Sequence, residues 1–559
     1  MRLLKITLFL LLSTTLLLGQ NTVGLTNYVP SQAFDGYNLH FPHNQGNVYL
    51  LDNCGEIVHV WADAVYKPGN GVEIHSDGNL YVCKGRNALS NSFIHAGGGG
   101  EKIEVRDWNN NILWSYTMND STQRFHHDMT VMPNGNILAI AWEYKSMADA
   151  IAAGRDTTKL TDGALWPEKI VELQPNLSTG TTTIVWEWHA WDHLVQNFDA
   201  TKANFGVVAT NPNKIDLNYT PYNTSADWLH ANAIDYNPTL DQIVLSVPTF
   251  NEVWIIDHST TTAQAAGSTG GLAGKGGDLI YRFGNPAAYG QTGAQLLFYQ
   301  HDIHWADIGL PSTHPEFGKL VVFNNQAGAD YSSAHTFSPV FDTYGWEYTM
   351  TGTAWGPTAF DWTYTAPTPQ DMYSTGLSSA QILPNNNRLI CVGRFGRSFE
   401  INSSNQIVWE YINPMKGGNP VAQGDTTITI NANLQFRMKR YPTDFAGFNG
   451  KTFGQLGYIE LNPDTVFCAN VLNVTSIDTE LDAVSVFPNP IAGQSSFSIQ
   501  FEDYKATARR IEIFDLYGRL LYTQLSNEQT ENISVIDWKA GLYVLRIDGR
   551  TSAKLSIMK

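Results

Sequence analysis

The middle of the chain, residues 30–462, repeats a two-part pattern that constrains the fold more than any other feature. One part is a short apolar run that ends in an aromatic pair. Short runs rich in β-branched and aromatic residues predict strands rather than helices. A unit this small cannot bury its apolar face alone, so the units must pack against one another. The runs are GEIVHVW (55–61), NNILWSY (110–116), TTIVWEW (182–188), GDLIYRF (277–283), TAFDWTY (358–364) and NQIVWEY (405–411).

The other part of the pattern is a turn followed by a second apolar strand. Asn-Gly and Asp-Gly between apolar runs are strong hairpin signals. Six such units, spaced roughly 50–95 residues apart, predict an all-β six-bladed β-propeller over residues 21–462, with a two-sheet sandwich as the alternative. The turn segments are SDGNLYVC (76–83), PNGNILAI (133–140), LDQIVLSV (240–247), FGKLVVF (317–323) and PNNNRLICV (384–392), and GYIEL (457–461) is expected to close the series.

The first 20 residues have the composition of a signal peptide. Arg2 and Lys5 give a cationic start, and an apolar run follows over residues 6–18. That run is too short for a typical membrane span but suits an export signal. We therefore predict a signal peptide over residues 1–20 and a mature protein that is exported, with no membrane span after the signal is removed.

The C-terminal end differs from the repeats. A polar linker over residues 463–484 precedes a segment, residues 485–559, in which apolar positions such as Ile511 and Ile513 alternate. This alternation predicts a small C-terminal β-sandwich. The motifs PNP (488–490) and GLY (541–543), with a basic final strand, resemble the C-terminal sorting domain of the type IX secretion system. The resemblance implies the type IX secretion machinery as a partner and a secreted or cell-surface location, reached through the periplasm.

Charge and cysteine content exclude some classes of function. The formal net charge is −18, which argues against a nucleic-acid partner because phosphate contacts need clustered Lys and Arg. Four cysteines allow three disulfide pairings. Cys54 and Cys83, on successive predicted strands, are the favoured pair, but the sequence does not choose. The chain has no CxxC motif, which argues against a zinc knuckle.

Histidines recur at one position of the repeat, just upstream of the turn, on the strand expected to be innermost in each blade. Equivalent positions on the inner strands of a propeller converge on a central channel. We therefore expect these side chains to share one pocket although they are far apart in sequence. The histidines of this set are His126, His127, His230, His301 and His304, and Asn232 lies in the same segment as His230.

Imidazole groups suit transfer chemistry near neutral pH, because they titrate in that range and the neutral nitrogen is a nucleophile. Histidines can also bind a metal. The acids beside this set are Asp128 and Asp302, each next to a histidine in sequence. Strand alternation predicts that these carboxylates point away from the channel. A metal site is therefore a secondary alternative, and we expect neither a metal nor a cofactor.

The ordered motifs FHHDMTVMPNGNIL, DWLHANAIDYNP and QHDIHW resemble the bacterial aryl-sulfate sulfotransferases over roughly residues 45–415. These enzymes are six-bladed propellers that move a sulfuryl group from a phenolic sulfate donor to a phenol acceptor. They use a sulfated histidine and no phosphoadenosine phosphosulfate (PAPS). The resemblance implies that His301 is the nucleophile and that His127 and His230 contact the sulfuryl oxygens or shuttle protons. The residues expected to bind substrate are Asn232, Arg394, His126 and His304.

The sequence departs from the family pattern at one position. The family has an arginine shortly after the strand that follows the HxN motif, whereas residues 246–251 here read SVPTFN, with Pro248 and no cation. Arg394, just after the strand LICVG, is the best candidate to supply the charge. Arg397 and Lys275 are weaker candidates.

A different class of function fits the same composition. An exported propeller could bind a glycan or a surface protein without catalysis, using the histidines only for packing or hydrogen bonding. A metal-dependent hydrolase is a third interpretation. The sequence contains neither the Gly-x-Ser-x-Gly motif of an esterase nor a carboxylate pair at a spacing that suits a glycosidase.

Overall fold

The structure is a computed structural model of the chain. It divides into two compact units, Met1–Thr465 and Val466–Lys559. The predicted signal peptide, residues 1–20, lies outside the described residues. Those are residues 21–86, 91–220, 225–307, 309–341, 346–425, 427–473, 484–501, 508–515, 519–547 and 550–558.

The first unit is nearly all-β, and its described residues form six antiparallel sheets of four or five strands. Four of these sheets consist of strands that follow one another along the chain. Sheet 2 contains Lys67–Ile74, Leu80–Gly85, Lys102–Arg106 and Ile112–Thr117. Sheet 3 contains Gln123–Val131, Ile137–Glu143, Glu168–Pro175 and Thr182–His189. Sheet 4 contains Ala233–Asn237, Gln242–Val247, Glu252–Asp257 and Tyr281–Phe283, and sheet 5 contains His301–Trp305, Leu320–Asn324, Ser333–Phe337 and Trp362–Tyr364.

The two remaining sheets join strands from opposite ends of the unit. In sheet 1 a late strand, Gln435–Pro442, pairs with the first of three early strands, Gly36–Pro42, Val48–Leu51 and Ile57–Trp61. Sheet 6 contains Ser379–Ile382, Arg388–Val392, Arg397–Ile401 and Ile407–Ile412, with the early strand Gly24–Tyr28 at its outer edge. The prediction that 457–461 closes the series is wrong, because that segment is not a strand and Gln435–Pro442 has the closing position.

One edge strand of each sheet, which we call its inner strand, connects neighbouring sheets through its side chains. In each case a side-chain oxygen accepts a hydrogen bond from a backbone N–H of the adjacent inner strand. Such bonds satisfy backbone donors that sheet pairing leaves free. They fix the inner strands side by side, and with them the residues that these strands carry. The bonds run from Ile234 to Asp128 (3.2 Å), Trp305 to Asp235 (2.8 Å), Ala380 to Asp302 (3.2 Å), Arg440 to Gln381 (2.8 Å) and Ile74 to Tyr441 (3.1 Å).

The aromatic pair of the repeat has a structural role at the outer edge. In four of the six runs a tryptophan is buried, and its indole N–H donates to a backbone carbonyl of a distant part of the chain. A buried tryptophan supplies a large apolar area and needs a partner for its N–H. This requirement accounts for a tryptophan near the end of these four runs. The donors and acceptors are Trp61 and Asp107 (3.0 Å), Trp114 and Thr181 (3.2 Å), Trp188 and Gly277 (2.7 Å), and Trp409 and Asn53 (2.8 Å).

Short elements fill the connections of the first unit. Two short α-helices, Met147–Ala152 and Thr262–Ala265, both begin with a capping box. The 3₁₀-helices are Thr157–Lys159, Ala190–His193, Val208–Thr210, Pro286–Tyr289, Pro369–Met372, Gly393–Phe395 and Ala446–Phe448. Two-strand pairs join Lys145–Ser146 to Ala164–Leu165, Leu194–Val195 to Ile215–Asp216, Met350–Thr351 to Ala354–Trp355, and Met415–Lys416 to Asn419–Pro420.

The second unit contains two sheets around one apolar core. A helix, Thr465–Asn473, lies within the segment predicted to be a linker, and residues 474–483 are outside the described part. The core takes side chains such as Phe497, Ile513 and Leu545 from both sheets. One sheet contains Val484–Phe487, Ser496–Phe501 and Thr530–Ser534. The other contains Ile491–Ala492, Arg509–Asp515, Leu520–Ser526, Gly541–Ile547 and Arg550–Met558.

The favoured disulfide between Cys54 and Cys83 is wrong. Cys83 and Cys391 are buried free thiols, whereas Cys54 and Cys468 are disulfide-bonded. Cys83 lies in the apolar core shared by sheets 2 and 3, packed among side chains such as Ile103 and Phe125. Burial raises the pKa of its thiol to about 12, so it stays protonated and unreactive.

Candidate active site

Three of the predicted histidines lie where the inner strands depart from regular geometry. His127 and His230 have positive φ angles of 47° and 52°, and Tyr299, two residues before His301, has a φ of 55°. The pairing of Gln123–Val131 with its neighbour also shifts register opposite Ala139 and Ala141. A positive φ is uncommon for residues other than glycine and often marks a functional position. It breaks the alternation of side chains along the strand.

The structure brings the rings of His127, His230 and His301 together. The ring centroids of His127 and His230 are 4.6 Å apart. The ring of Tyr299 lies 6.4 Å from that of His230 and 6.1 Å from that of His301. The ring of Phe436 lies 6.4 Å from His127 and 6.2 Å from His301. We refer to His127, His230, His301, Tyr299 and Phe436 as the histidine cluster.

His301 is held as a neutral imidazole with a defined tautomer. Its Nδ1 lies 2.8 Å from Oδ1 of Asn325, and the amide nitrogen of Asn325 donates to the carbonyls of Ser374 and Leu377, both at 2.9 Å. Because the Asn325 oxygen faces the ring, Nδ1 must be the donor, and Nε2 keeps its lone pair. Burial lowers the pKa of His301 to about 3, and the positive charges of His230 and Arg394 act in the same direction, against the Asn325 hydrogen bond.

His230 has the opposite electrostatic character. Its Nδ1 lies 2.5 Å from Oδ2 of Asp227. Burial favours the neutral ring, but the charge and hydrogen bond of Asp227 outweigh burial, so the pKa of His230 is raised. A cationic imidazole therefore lies beside the neutral imidazoles of His127 and His301. This arrangement pairs a nucleophilic nitrogen with a positive charge suited to an anionic group.

His126 lies behind His127 and does not face the space that the other rings share. The two Nδ1 atoms are 2.9 Å apart, and His126 is fully buried and stacked on Trp142 with centroids 3.8 Å apart. Burial and the charge of His230 lower the pKa values of both His126 and His127 well below the usual value. Both rings are therefore neutral. Direct contact of His126 with substrate, as expected from the sequence, does not fit this position.

Two other predicted residues make contacts of their own. Asn232 is fully buried, and its amide donates to the carbonyl of Gln300 at 2.9 Å, which ties two inner strands together. His304 lines a separate cavity of about 130 Å³ with Asp302 and Lys439. The Nδ1 of His304 lies 2.9 Å from the carbonyl oxygen of Asp302.

Arg394 lies beside His301. It belongs to the 3₁₀-helix Gly393–Phe395, and its Nη1 donates to Oδ1 of Asn431 at 3.1 Å. A Cβ placed on Gly376 would lie 3.4 Å from Nη2 of Arg394 and 3.7 Å from Cε1 of His301. Both groups thus pack against the same glycine. The pKa of His43 is lowered to about 4 by burial and by Arg394, against a hydrogen bond to Asn70, which adds another neutral imidazole near this cation.

Asp128 and Asp302, which strand alternation predicts to point away from the channel, share one partner. Both carboxylates bind the buried guanidinium of Arg437, at 2.8 Å for Asp128 and 3.2 Å for Asp302. The positive φ angles of His127 and Asp302, 47° and 59°, turn these side chains out of strict alternation. Within the described residues, no group of three or more His, Cys, Asp or Glu is arranged to hold a metal ion.

Sequence reasoning missed several residues of the site. Asp227 lies inside the motif DWLHANAIDYNP, and Asn325 comes two residues after the turn segment FGKLVVF (317–323), so both were close to segments with a sequence signal. Asp227 lies three residues before His230, and Asn325 lies just after the strand Leu320–Asn324. His43 and Phe436 have no comparable signal, because their proximity depends on pairing between distant strands.

Comparisons with known proteins bear on family and export. The arylsulfotransferase (ASST) family matches residues 22–437, and the secretion system C-terminal sorting domain matches residues 485–558. No curated protein matches the chain. Within the part that the structure describes, no helix has the length and apolar character needed to cross a membrane.

Solved structures show only distant likeness. A protein of unknown function from Bacteroides caccae has 10% identity and a TM-score of 0.37, covering 73% of this chain and 99% of that chain. Virginiamycin B lyase from Staphylococcus aureus has 12% identity and a TM-score of 0.30, covering 70% and 88%. These TM-scores are too low to assign a fold or an activity.

The family match covers the histidine cluster and extends over most of the chain, so the resemblance inferred from the motifs is confirmed. Membership supports an aryl sulfotransferase type of function. The sorting domain makes this a secreted or cell-surface protein. The chain therefore belongs to the arylsulfotransferase family and carries a type IX secretion C-terminal sorting domain.

Proposed function

We propose that this protein is a secreted aryl-sulfate sulfotransferase that moves a sulfuryl group from a phenolic sulfate to a phenol without PAPS. His301 carries the group between donor and acceptor. The observation that supports this most is the state of His301, a neutral imidazole whose Nδ1–H is bound by Asn325. Its Nε2 is therefore an available nucleophile beside two cations, His230 and Arg394.

The reaction proceeds in two steps. In the first, Nε2 of His301 attacks the sulfur, the bond between sulfur and the phenolic oxygen breaks, and the phenolate leaves with that electron pair. His127 gives the departing oxygen its Nε2 proton while its Nδ1 takes a proton from the side of His126, so the ring stays neutral. In the second step, the acceptor phenol gives its proton back to His127, its oxygen attacks the sulfur, and the N–S bond breaks. A covalent intermediate of this kind predicts ping-pong kinetics.

Charge complementarity supports the roles of His230 and Arg394. The sulfuryl group spreads negative charge over three oxygens during transfer. Asp227 keeps His230 cationic, and Arg394 packs with His301 against Gly376. Preorganised donors of this kind can each lower a barrier by several kcal/mol, on the order of 3. Arg394 thus supplies the charge that the family's usual arginine would bring. Arg397 does not, because it is paired with Glu410 at 2.6 Å.

We further propose that the six sheets are the blades of a propeller. The inner strands are linked in sequence by the side-chain to backbone bonds described above, and sheet 1 combines the first and last strands of the repeat region. A closure of this kind would hold the first and last blades together. The histidine cluster then lies near the axis. Asn232 and His304 act in this arrangement as structural groups rather than substrate contacts.

The test is turnover of 4-nitrophenyl sulfate by the mature chain, with and without an added phenol. Release of nitrophenol that depends on the acceptor supports transfer, and release into water alone indicates a sulfatase. His301→Ala should abolish turnover, and mass spectrometry of the wild type with donor alone should find one sulfuryl group on the peptide that contains His301. His189→Ala is a matched control, since His189 binds Glu143 outside the cluster.

Full activity of His301→Ala would contradict the assignment of the nucleophile. No turnover of any aryl sulfate, together with retention on a polysaccharide, would instead support the non-catalytic binding function.

A further inference from the structure

A buried carboxyl group lies behind the histidine cluster. Glu168 begins the strand Glu168–Pro175, directly opposite Trp142 in the sheet register, and its side chain is fully buried. Its Oε1 accepts a hydrogen bond from the backbone N–H of Ala231 at 2.7 Å and lies 3.9 Å from Nε2 of His126. Among the described residues, neither Oε2 of Glu168 nor Nε2 of His126 has a hydrogen-bond partner. Buried polar atoms are rarely left unpartnered.

The contact between His126 and His127 needs one shared proton. Both rings are buried and neutral, and their Nδ1 atoms are 2.9 Å apart, so one must donate and the other accept. If His126 donates, its Nε2 is an acceptor that faces Glu168, and His127 presents an Nε2–H to the cluster. If His127 donates, the roles of both outer nitrogens are reversed. The protonation state of Glu168 thus selects which group His127 presents.

Building on the proposed function, we propose that Glu168 and His126 are positioning residues of a proton relay that acts through His127. In the resting enzyme the Glu168 carboxyl is protonated and faces Nε2 of His126. When the phenolate leaves, His127 gives it the Nε2 proton, Nδ1 of His127 takes the Nδ1 proton of His126, and Nε2 of His126 takes the Glu168 proton. The acceptor phenol returns one proton along the same path in the second step, so the relay is reset.

The surroundings of Glu168 favour the protonated form of its carboxyl group. Burial raises its pKa well above the usual value, and the negative charges of Asp227 and Glu143 act in the same direction. Of the Lys and Arg side chains in the described residues, none forms an ion pair with Glu168. Proton transfer requires the carboxyl to turn toward His126, because Oε1 of Glu168 lies 3.9 Å from Nε2 of His126. The stacking of His126 on Trp142 holds its ring in line between the two partners.

The kinetic test is the dependence of rate on the leaving group. A departing 4-nitrophenolate needs little proton assistance, whereas the more basic phenolate from phenyl sulfate needs much more. In Glu168→Gln the amide keeps the hydrogen bond to His126 but cannot give up a proton. We expect its kcat/KM for 4-nitrophenyl sulfate to stay within about threefold of wild type and its kcat/KM for phenyl sulfate to fall about 100-fold, a typical general-acid contribution. An equal loss on both substrates would indicate a merely structural role and overturn the relay.

Two variants sharpen this comparison. His126→Phe keeps the stacking on Trp142 but breaks the relay, so it should show the same selective loss with phenyl sulfate. Glu172→Gln is the matched control, because Glu172 lies on the same strand as Glu168 and pairs with His258 outside the relay. It should change kcat/KM for the two substrates by the same factor. A selective loss with phenyl sulfate in Glu172→Gln would contradict the proposal.

A second measurement does not depend on turnover. Nuclear magnetic resonance of the full chain labelled with ¹⁵N-histidine reports the tautomer of each ring, with His126→Phe used for assignment. We expect His126 to carry its proton on Nδ1 and His127 on Nε2. The opposite tautomers would overturn the relay even in an active enzyme. The expected tautomers in a protein that turns over no aryl sulfate would instead show that only the proposed function is wrong.

Discussion

The Nδ1 atom of His301 and the Oδ1 atom of Asn325 are 2.8 Å apart, and the amide nitrogen of Asn325 is fixed by two backbone carbonyls. The asparagine therefore cannot flip without losing both of those bonds. This asymmetry assigns the tautomer of His301 from hydrogen bonding alone. It also directs the Nε2 lone pair away from Asn325, toward the other members of the histidine cluster.

Asn325→Ala should lower kcat by about 10- to 100-fold, a range typical of residues that orient a reacting ring. Without Oδ1, the ring of His301 can take either tautomer and rotate. The neighbouring Asn324 is a matched control, since its side chain also makes two backbone hydrogen bonds, to Phe298 and Leu296. Both alanine variants should lose stability, on the order of 1–3 kcal/mol. An equal loss of kcat in Asn324→Ala, measured with 4-nitrophenyl sulfate, would contradict a specific role.

Asp227→Asn should narrow the pH range of activity on its alkaline side. In the wild type, Asp227 raises the pKa of His230, so the cation persists as pH rises until that raised pKa is reached. Without the carboxylate charge, burial is unopposed and the pKa falls. The alkaline limb of the kcat/KM profile, which reports the free enzyme, should then move to lower pH, with activity partly recovered in acid.

Asp199→Asn is the control for this pH profile. Asp199 lies on the same long connection, and its side chain accepts hydrogen bonds from Thr201 at the surface. The variant should leave the alkaline limb unchanged. Superimposable profiles for Asp227→Asn and the wild type would rule out His230 as the essential cation.

The strand order could be predicted from the sequence only where contacts are local. Asn-Gly turns and aromatic pairs located most hairpins, because hairpin strands pair with their neighbours in sequence. The closing strand could not be found this way. Gln435–Pro442 contains Arg437 and Arg440, and charged residues in a strand normally indicate solvent exposure. Here Arg437 pairs with Asp128, about 300 residues away, so its burial depends on a contact that no local pattern shows.

The residue types of the site could be predicted from the sequence, but the orientation of each side chain could not. His127, His230 and His301 were selected together because they occupy equivalent positions of the repeat. The same criterion also selected His304, which lines a different cavity, and His126, whose Nδ1 contacts that of His127. It could not distinguish these two from the residues of the histidine cluster. Positive φ angles decide these orientations, and strand alternation assumes that there are none.

Arg394→Gln should lower kcat/KM by about 10²- to 10³-fold, the loss typical of removing one stabilising donor from a transition state. The expected defect is in the sulfuryl-transfer steps, because the guanidinium lies beside His301. Arg397→Gln is the matched control three residues further along the chain, since the guanidinium of Arg397 donates to the carboxylate of Glu410. Steady-state measurement of kcat/KM for both variants tests this prediction. Near-wild-type activity of Arg394→Gln, or an equal defect in Arg397→Gln, would exclude Arg394 as the replacement for the missing family arginine.

Gly98→Ala should reduce turnover strongly, while Gly97→Ala should be tolerated. Gly98 has a φ of 76°, its carbonyl accepts the backbone N–H of His127 at 2.8 Å, and a Cβ there would overlap Cε1 and Nε2 of the His127 ring. The ring must then move, which breaks its alignment with His126 and His230. A Cβ on the adjacent Gly97 meets no atom within 4 Å. Kinetics of the two variants, with circular dichroism to verify folding, test this. Equal activity would mean that the position of His127 does not limit transfer.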